Sequence, residues 1–74
     1  MKDHKEILLS FGENLRKLRT AKGLSQEELA FQADFDRTYI SLLERGKRNL
    51  SLVNICRLAD TLQVDVNELL KNIY

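Results

Sequence analysis

Apolar residues recur at helical spacing along most of the chain. From Lys5 to Lys22 they fall at Ile7, Phe11, Leu15 and Leu18, separations of four, four and three residues, which line one face of a helix. Lys22 and Gly23 then supply a cation at the helix end and a residue free to turn left-handed, a stop signal. The "SQEE" that follows has the form of a capping box, in which the Ser25 hydroxyl accepts from the Glu28 backbone N–H while the Glu28 carboxylate reaches back. A short second helix is expected from there, with Leu29, Ala30 and Ala33 turned inward. Asp34 and Phe35 interrupt the pattern, and Asp36 is a good N-cap for a third short helix that runs through Arg45 and closes at Gly46. Ser51 caps a fourth, in which Leu52, Ile55, Leu58, Ala59 and Leu62 keep helical spacing, and Asp65 caps a fifth that holds Leu69, Leu70 and Ile73. The expectation is an all-α fold: a compact five-helix domain, without repeat, low-complexity tract or linker.

Composition narrows what such a domain can do. With 74 residues, no proline, three glycines and 43% hydrophobic residues, the chain has room for one core and resembles neither a disordered tail nor a sandwich of short strands. That core is marginal alone, which favours association with a second copy. One cysteine, Cys56, makes no internal disulfide, and His4 is distant from it in sequence, so neither a metal site nor a Cys/His nucleophile has its partners. Both residues are expected to be bystanders, Cys56 as a semi-buried helix residue. Glu27 and Glu28 diverge by about 100° on a helix and form no acid/base dyad. No catalytic set, cofactor or small-molecule ligand is implied. The lone cysteine and the missing signal-peptide pattern point to a reducing, cytoplasmic setting, and the apolar run Ile7 to Leu9 cannot span a membrane.

A net charge of +1 conceals an uneven distribution. Residues 37–57 carry five Lys/Arg against one acidic residue, whereas residues 1–36 carry six against seven and residues 58–74 one against three. The positive charge gathers in the middle of the chain, where it either sits on a solvated loop or meets an anionic partner.

Helices 2 and 3, joined through Asp34 and Phe35, have the size of a helix-turn-helix unit, spanning about residues 25 to 45. The stretch "LSQEELAFQADFDRTYISLLERG" resembles the helix-turn-helix of phage repressors and Cro proteins, and "DRTYIS" with "ERGKRNLSLVNI" is similar to restriction-modification controller proteins of that class. The resemblance covers about residues 11 to 70. It implies a lambda-repressor-like fold and a dimer that binds operator DNA and regulates transcription. By it, Gln26 begins the motif, Ala30 is the small residue at the helix-helix contact, and Ile40 and Leu43 are core positions. Asp34 stands where the family usually has glycine, at a left-handed turn position that would cost a non-glycine residue roughly 1 kcal/mol.

The orientation of helix 3 follows from about 100° per residue. With Ile40 at zero and Leu43 near 300°, the buried direction is about 330°, and Thr38, Arg45, Leu42 and Ser41 lie most nearly opposite. Arg37, in the first turn, projects from the end that a groove-docked recognition helix directs at the bases. Base-reading roles are therefore expected for Arg37, Thr38, Ser41, Leu42 and Arg45: a guanidinium fork suits guanine, hydroxyls donate or accept, and Leu42 suits a thymine methyl. The alternatives are an ion pair of Arg37 with Asp34 or Asp36, and a rotated helix that buries Leu42. Tyr39, near 260°, belongs at the rim, where its ring packs and its hydroxyl reaches a phosphate, the alternative being simple packing. Glu44, near 40°, points inward, toward Arg16 or Arg19.

The segment "RGKRN" and the start of helix 4 would follow the DNA backbone, with Lys47 and Arg48 supplying charge and Asn49 neutral donors. Gln26, at the exposed start of helix 2, suits a phosphate, as its analogues do in the family. Val64, Val66, Leu69, Leu70, Ile73 and Tyr74 offer more apolar surface than one small helix needs, so a dimerisation region is expected over about residues 62 to 74, which would set two recognition helices one DNA turn apart. Glu27 and Phe31 lie on the outer side of helix 2; in phage repressors the matching surface can touch RNA polymerase, which makes them candidate polymerase contacts, the alternative being a ring covered by helix 1. The function so reached is a sequence-specific DNA-binding transcriptional regulator, with a protein-interaction module of the antitoxin type as the alternative.

Overall fold

The computed structural model describes residues 2–74. Among them it contains five helices in the order α1 (His4–Ala21), α2 (Gln26–Ala33), α3 (Arg37–Glu44), α4 (Leu52–Leu62) and α5 (Val66–Leu69). Each start follows from a side chain that satisfies an orphan backbone N–H. Ser25 and Glu28 form the expected capping box, with Glu28 N–H to Ser25 Oγ at 3.0 Å and Ser25 N–H to Glu28 Oε1 at 2.9 Å. A second box, Asp3 with Glu6, opens α1 at His4, one residue before the expected start. Asp36, Ser51 and Asp65 cap α3, α4 and α5.

Helix ends are set by residues in the left-handed region. Gly23 and Gly46 adopt φ of 72° and 69°, and Asp34 adopts φ 60°, ψ 45°. Asp34 thus occupies the conformation expected of a turn glycine, and the reversal is closed by Phe35 N–H to Ala30 O at 2.8 Å. Gln63 ends α4 in the same way, at φ 56°.

Phe11 and Leu15 from α1, Leu29, Ala30 and Ala33 from α2, Ile40 and Leu43 from α3, Leu58, Ala59 and Leu62 from α4, and Leu69 from α5 form one core. α1 lies across α3 and α5, while α4 packs on α2 and α5. The α1–α3 crossing is close because Gly12 has no side chain: a Cβ there would come within 2.5 Å of the Leu43 carbonyl oxygen and 2.6 Å of that of Glu44.

Three expectations need correction. Leu52 does not join the inward stripe of α4; it is 70% exposed, because the first turn stands clear of the elements that cover Leu58 and Leu62. Cys56 is exposed rather than semi-buried. α5 is only four residues long, so Leu70 caps it and Ile73 lies beyond it. The tail is held instead from α1 and the segment before it: Asn14 Nδ2 donates to the carbonyls of Leu69 and Lys71 at 2.9 and 2.7 Å, and Lys2 Nζ to that of Asn72 at 2.7 Å.

Candidate nucleic-acid interface

On α3 the side chains divide by face as helical geometry requires. Ile40 and Leu43 are fully buried; Arg37, Thr38 and Arg45 are exposed, and Ser41 and Leu42 are half-buried beside them. The helix is therefore not rotated so as to bury Leu42. The ion pairs among the described residues are Arg19–Glu44 and Lys71–Glu68, so Arg37 is not paired with Asp34 or Asp36. The Asp36 carboxylate instead accepts from the Thr38 N–H at 3.0 Å, which leaves the Arg37 fork facing solvent. Arg45, at the C-cap, donates from Nε to Ser41 O at a long 3.4 Å.

Behind this face α3 is anchored by a charge. Glu44 accepts from Arg19 Nε at 2.6 Å and Nη2 at 3.0 Å, with the two side chains 3% and 11% exposed. Arg19 donates its other arm to Leu24 O at 2.8 Å. Of the two arginines considered for Glu44, Arg19 is the partner, and the bidentate geometry satisfies both buried groups. Gln26 joins the network, with Nε2 donating to Glu44 Oε1 at 3.1 Å. Its second amide hydrogen and its own carbonyl stay open at the start of α2.

The rim of α3 carries a cluster that periodicity does not disclose. The Tyr39 ring lies 5.0 Å from the Phe35 ring, centroid to centroid, at a 53° tilt, and the Arg48 guanidinium stands 5.8 Å over it. Arg57 stands 5.0 Å over Phe35. Each cation faces a ring in the geometry of a cation–π contact. The Tyr39 hydroxyl accepts from Asn54 Nδ2 at 3.1 Å. Asn54 and Arg57 come from α4, fifteen or more residues away in sequence, and no local signal links them to α3.

Lys47, Arg48 and Asn49 are exposed in the segment between α3 and α4. Asn49 Oδ1 accepts from the Leu50 N–H at 2.9 Å, so its amide group keeps its donors for a partner. Arg37, Arg45 and Arg57 are exposed cations as well.

On the outer side of α2, Glu27 and Phe31 are exposed, Phe31 at 87%. Helix 1 does not cover the ring; with Glu27, Glu28 and Gln32 it lines a shallow hollow. The Glu28 carboxyl is held below its ordinary value, first by the Ser25 backbone N–H and then by the Ser25 side chain.

The expected dimerisation residues do not share one fate. Leu69 is fully buried in its own subunit and is removed from the set: it fills the space under α1 and α4 and has no surface to offer. Val64, Val66, Leu70 and Ile73 are partly buried against the core, and Tyr74 is exposed. Leu52 and Val53, 70% and 68% exposed, are apolar surface that the sequence reading assigned to the core or left unassigned. Among the described residues no group of three or more His, Cys, Asp or Glu is placed to hold a metal ion, and no helix is long and apolar enough to cross a membrane.

Two capped helices joined by a left-handed turn, with the second presenting a cationic, hydroxyl-bearing face, define a helix-turn-helix regulator that binds DNA. The chain belongs to the HTH_3 helix-turn-helix family, whose model matches residues 15–69. It is 48% identical over 69 residues to the control protein C.MunI of Mycoplasma sp, covering 92% of this chain and 93% of that one. It is 49% identical over 65 residues to the control protein C.BamHI of Bacillus amyloliquefaciens, covering 86% and 80%. The crystal structure of the restriction-modification controller protein C.AhdI from Aeromonas hydrophila superposes with a TM-score of 0.81 at 58% identity, over 84% of this chain and 94% of that one.

Proposed function

We propose that the protein acts as a homodimer on a two-fold DNA operator and controls a restriction-modification operon. The observation that carries this reading is the outer face of α3, where Arg37 and Thr38 stand exposed at the helix start with Ser41, Leu42 and Arg45 along the same side, while Ile40, Leu43 and the Arg19–Glu44 pair fix it from behind. The control proteins that the chain resembles support the operon assignment.

Arg37 is the direct reader, its fork suited to guanine O6 and N7; Thr38, Ser41 and Arg45 extend the reading face, and Leu42 packs on a thymine methyl. Tyr39, Lys47, Arg48 and Asn49 contact phosphates and set the register without choosing sequence. Gln26 does so from the start of α2, its amide oriented by Glu44. A second copy supplies the other half-site. Its contact draws on Val64, Val66, Leu70, Ile73 and Tyr74, to which Leu52 and Val53 add exposed apolar surface in the turn that follows the phosphate-facing segment. The two α3 helices then read half-sites about 34 Å apart.

Phe31 favours a second role. A largely exposed aromatic beside Glu27 has no role in the operator contacts proposed above, and we assign it to contact with RNA polymerase at an adjacent promoter. Glu27→Ala with intact operator binding should lower activation in a reporter assay; unchanged activation would remove Glu27 from the mechanism.

Footprinting on the DNA upstream of the protein's own gene tests the main reading. Protection of a two-fold repeat is expected, with affinity falling at a log-log salt slope of about −0.9 per phosphate contacted. A slope near zero, or sedimentation as a monomer alone at micromolar concentration, would overturn it.

A further inference from the structure

Asn54 has no part in the reading face and lies on another helix, yet its amide meets the Tyr39 hydroxyl, a neutral donor at the rim. We infer that Asn54 is a positioning residue for DNA binding: by donating to the Tyr39 hydroxyl oxygen it commits that oxygen as an acceptor and leaves its proton directed outward to a DNA phosphate. The inference rests on the DNA-binding reading and deepens it.

The geometry is restrictive. The Tyr39 ring packs against Phe35, at 5.0 Å, and under the Arg48 guanidinium, at 5.8 Å, contacts that restrict where the hydroxyl oxygen can lie. Asn54 is itself held, its backbone N–H donating to Ser51 Oγ at 3.1 Å in the first turn of α4. Its side-chain amide then meets the phenol oxygen at 3.1 Å. A phenol has one proton to donate and lone pairs to accept. With Asn54 Nδ2 on a lone pair, the proton is not consumed within the protein, and rotation about the C–O bond is limited to directions away from the amide. Arg48 beside the ring raises the local positive potential, so an anion is the acceptor this site favours. A phosphate on the strand that follows residues 47–49 meets that requirement. The same hydrogen bond ties α4 to α3 and makes the phosphate contact depend on how the two helices are docked.

The test is a double-mutant cycle on the full-length protein with a duplex carrying the footprinted site. Tyr39→Phe should weaken binding about tenfold, the scale of a hydrogen bond to a charged group. Asn54→Leu should produce most of that loss alone and add little once Tyr39→Phe is present. The losses should be alike for all operator base variants and leave the salt slope unchanged, since a neutral donor releases no counterion, whereas Lys47→Ala reduces the slope by about 1. Asn54→Asp, of the same size, is the second variant: its carboxylate takes the hydroxyl proton for itself, so Tyr39→Phe should cost nothing further. Equal losses from Asn54→Leu with and without Tyr39→Phe, or a full tenfold effect of Tyr39→Phe in the presence of Asn54→Asp, would overturn the inference while leaving the DNA-binding reading intact. Failure of the unsubstituted protein to bind the duplex would overturn both.

Discussion

Replacing Gly12 with alanine tests the docking of α1 on the recognition helix. In an exposed helix interior this change stabilises by about 1 kcal/mol, because alanine loses less backbone freedom on folding. Here the new methyl would meet the carbonyl oxygens of Leu43 and Glu44 at 2.5 and 2.6 Å, against 3.4 Å or more for an ordinary contact. The obstacles are backbone atoms at the end of α3, which cannot swing aside as a side chain could. α1 must withdraw by 0.8 to 0.9 Å at that point, and a gap of that size forfeits about a quarter to a half of each dispersion contact along the crossing. Overpacking of this kind costs roughly 1–3 kcal/mol, with backbone obstacles at the upper end. Set against the propensity gain, the net loss should be about 2 kcal/mol, a fall in Tm of roughly 8–16 °C for a domain of this length. Thermal unfolding followed by far-ultraviolet circular dichroism measures it, with Glu13→Ala, at an exposed neighbouring position of α1, as the control that should shift Tm little. A Gly12→Ala protein that melts at or above its parent would refute the reasoning.

Other perturbations separate the remaining contributions. Asp34→Gly relieves a left-handed turn residue at φ 60°; the relief of roughly 1 kcal/mol, partly offset by the freer unfolded chain, should raise Tm by a few degrees, and a clear drop would contradict the turn chemistry. Glu44→Ala leaves the Arg19 guanidinium buried without its carboxylate and should cost about 3–5 kcal/mol in urea unfolding; a loss below about 1 kcal/mol would show that the pair is not structural. Glu28 has a depressed folded-state pKa, so its contribution is complete above the usual carboxylate range and is lost as pH falls through the folded value. The stability difference between the parent and Glu28→Ala should therefore shrink on acidification from neutral pH, and a constant difference would contradict the capping role.

Much of this fold is legible locally because its helix starts are written in single residues. Ser25, Asp36, Ser51 and Asp65 each precede a helix by one position, and the caps they form depend on neighbours within three residues. The faces of α3 follow for the same reason: Ile40 and Leu43 determine the rotation, and Arg37, Thr38 and Arg45 are outward as a consequence. What escapes is decided by distant chain. The burial of Leu69 and the exposure of Leu52 depend on which elements lie above them, and both residues have the same apolar signature in sequence. The Asn54–Tyr39 bond spans fifteen residues, and the choice of Arg19 over Arg16 for Glu44 depends on how α1 docks across α3. Asn54 and Arg57 read as ordinary helix-surface residues until α4 is docked.

If the outer face of α3 reads bases while the segment after it holds phosphates, Arg37→Ala separates the two roles. Binding should be measured against a panel of duplexes, each altered at one base pair of the footprinted half-site. Arg37→Ala should abolish discrimination at one guanine position, worth about 1–3 kcal/mol, and leave the preferences at the others in place. A uniform loss across the panel, with every preference retained, would contradict base reading by this face.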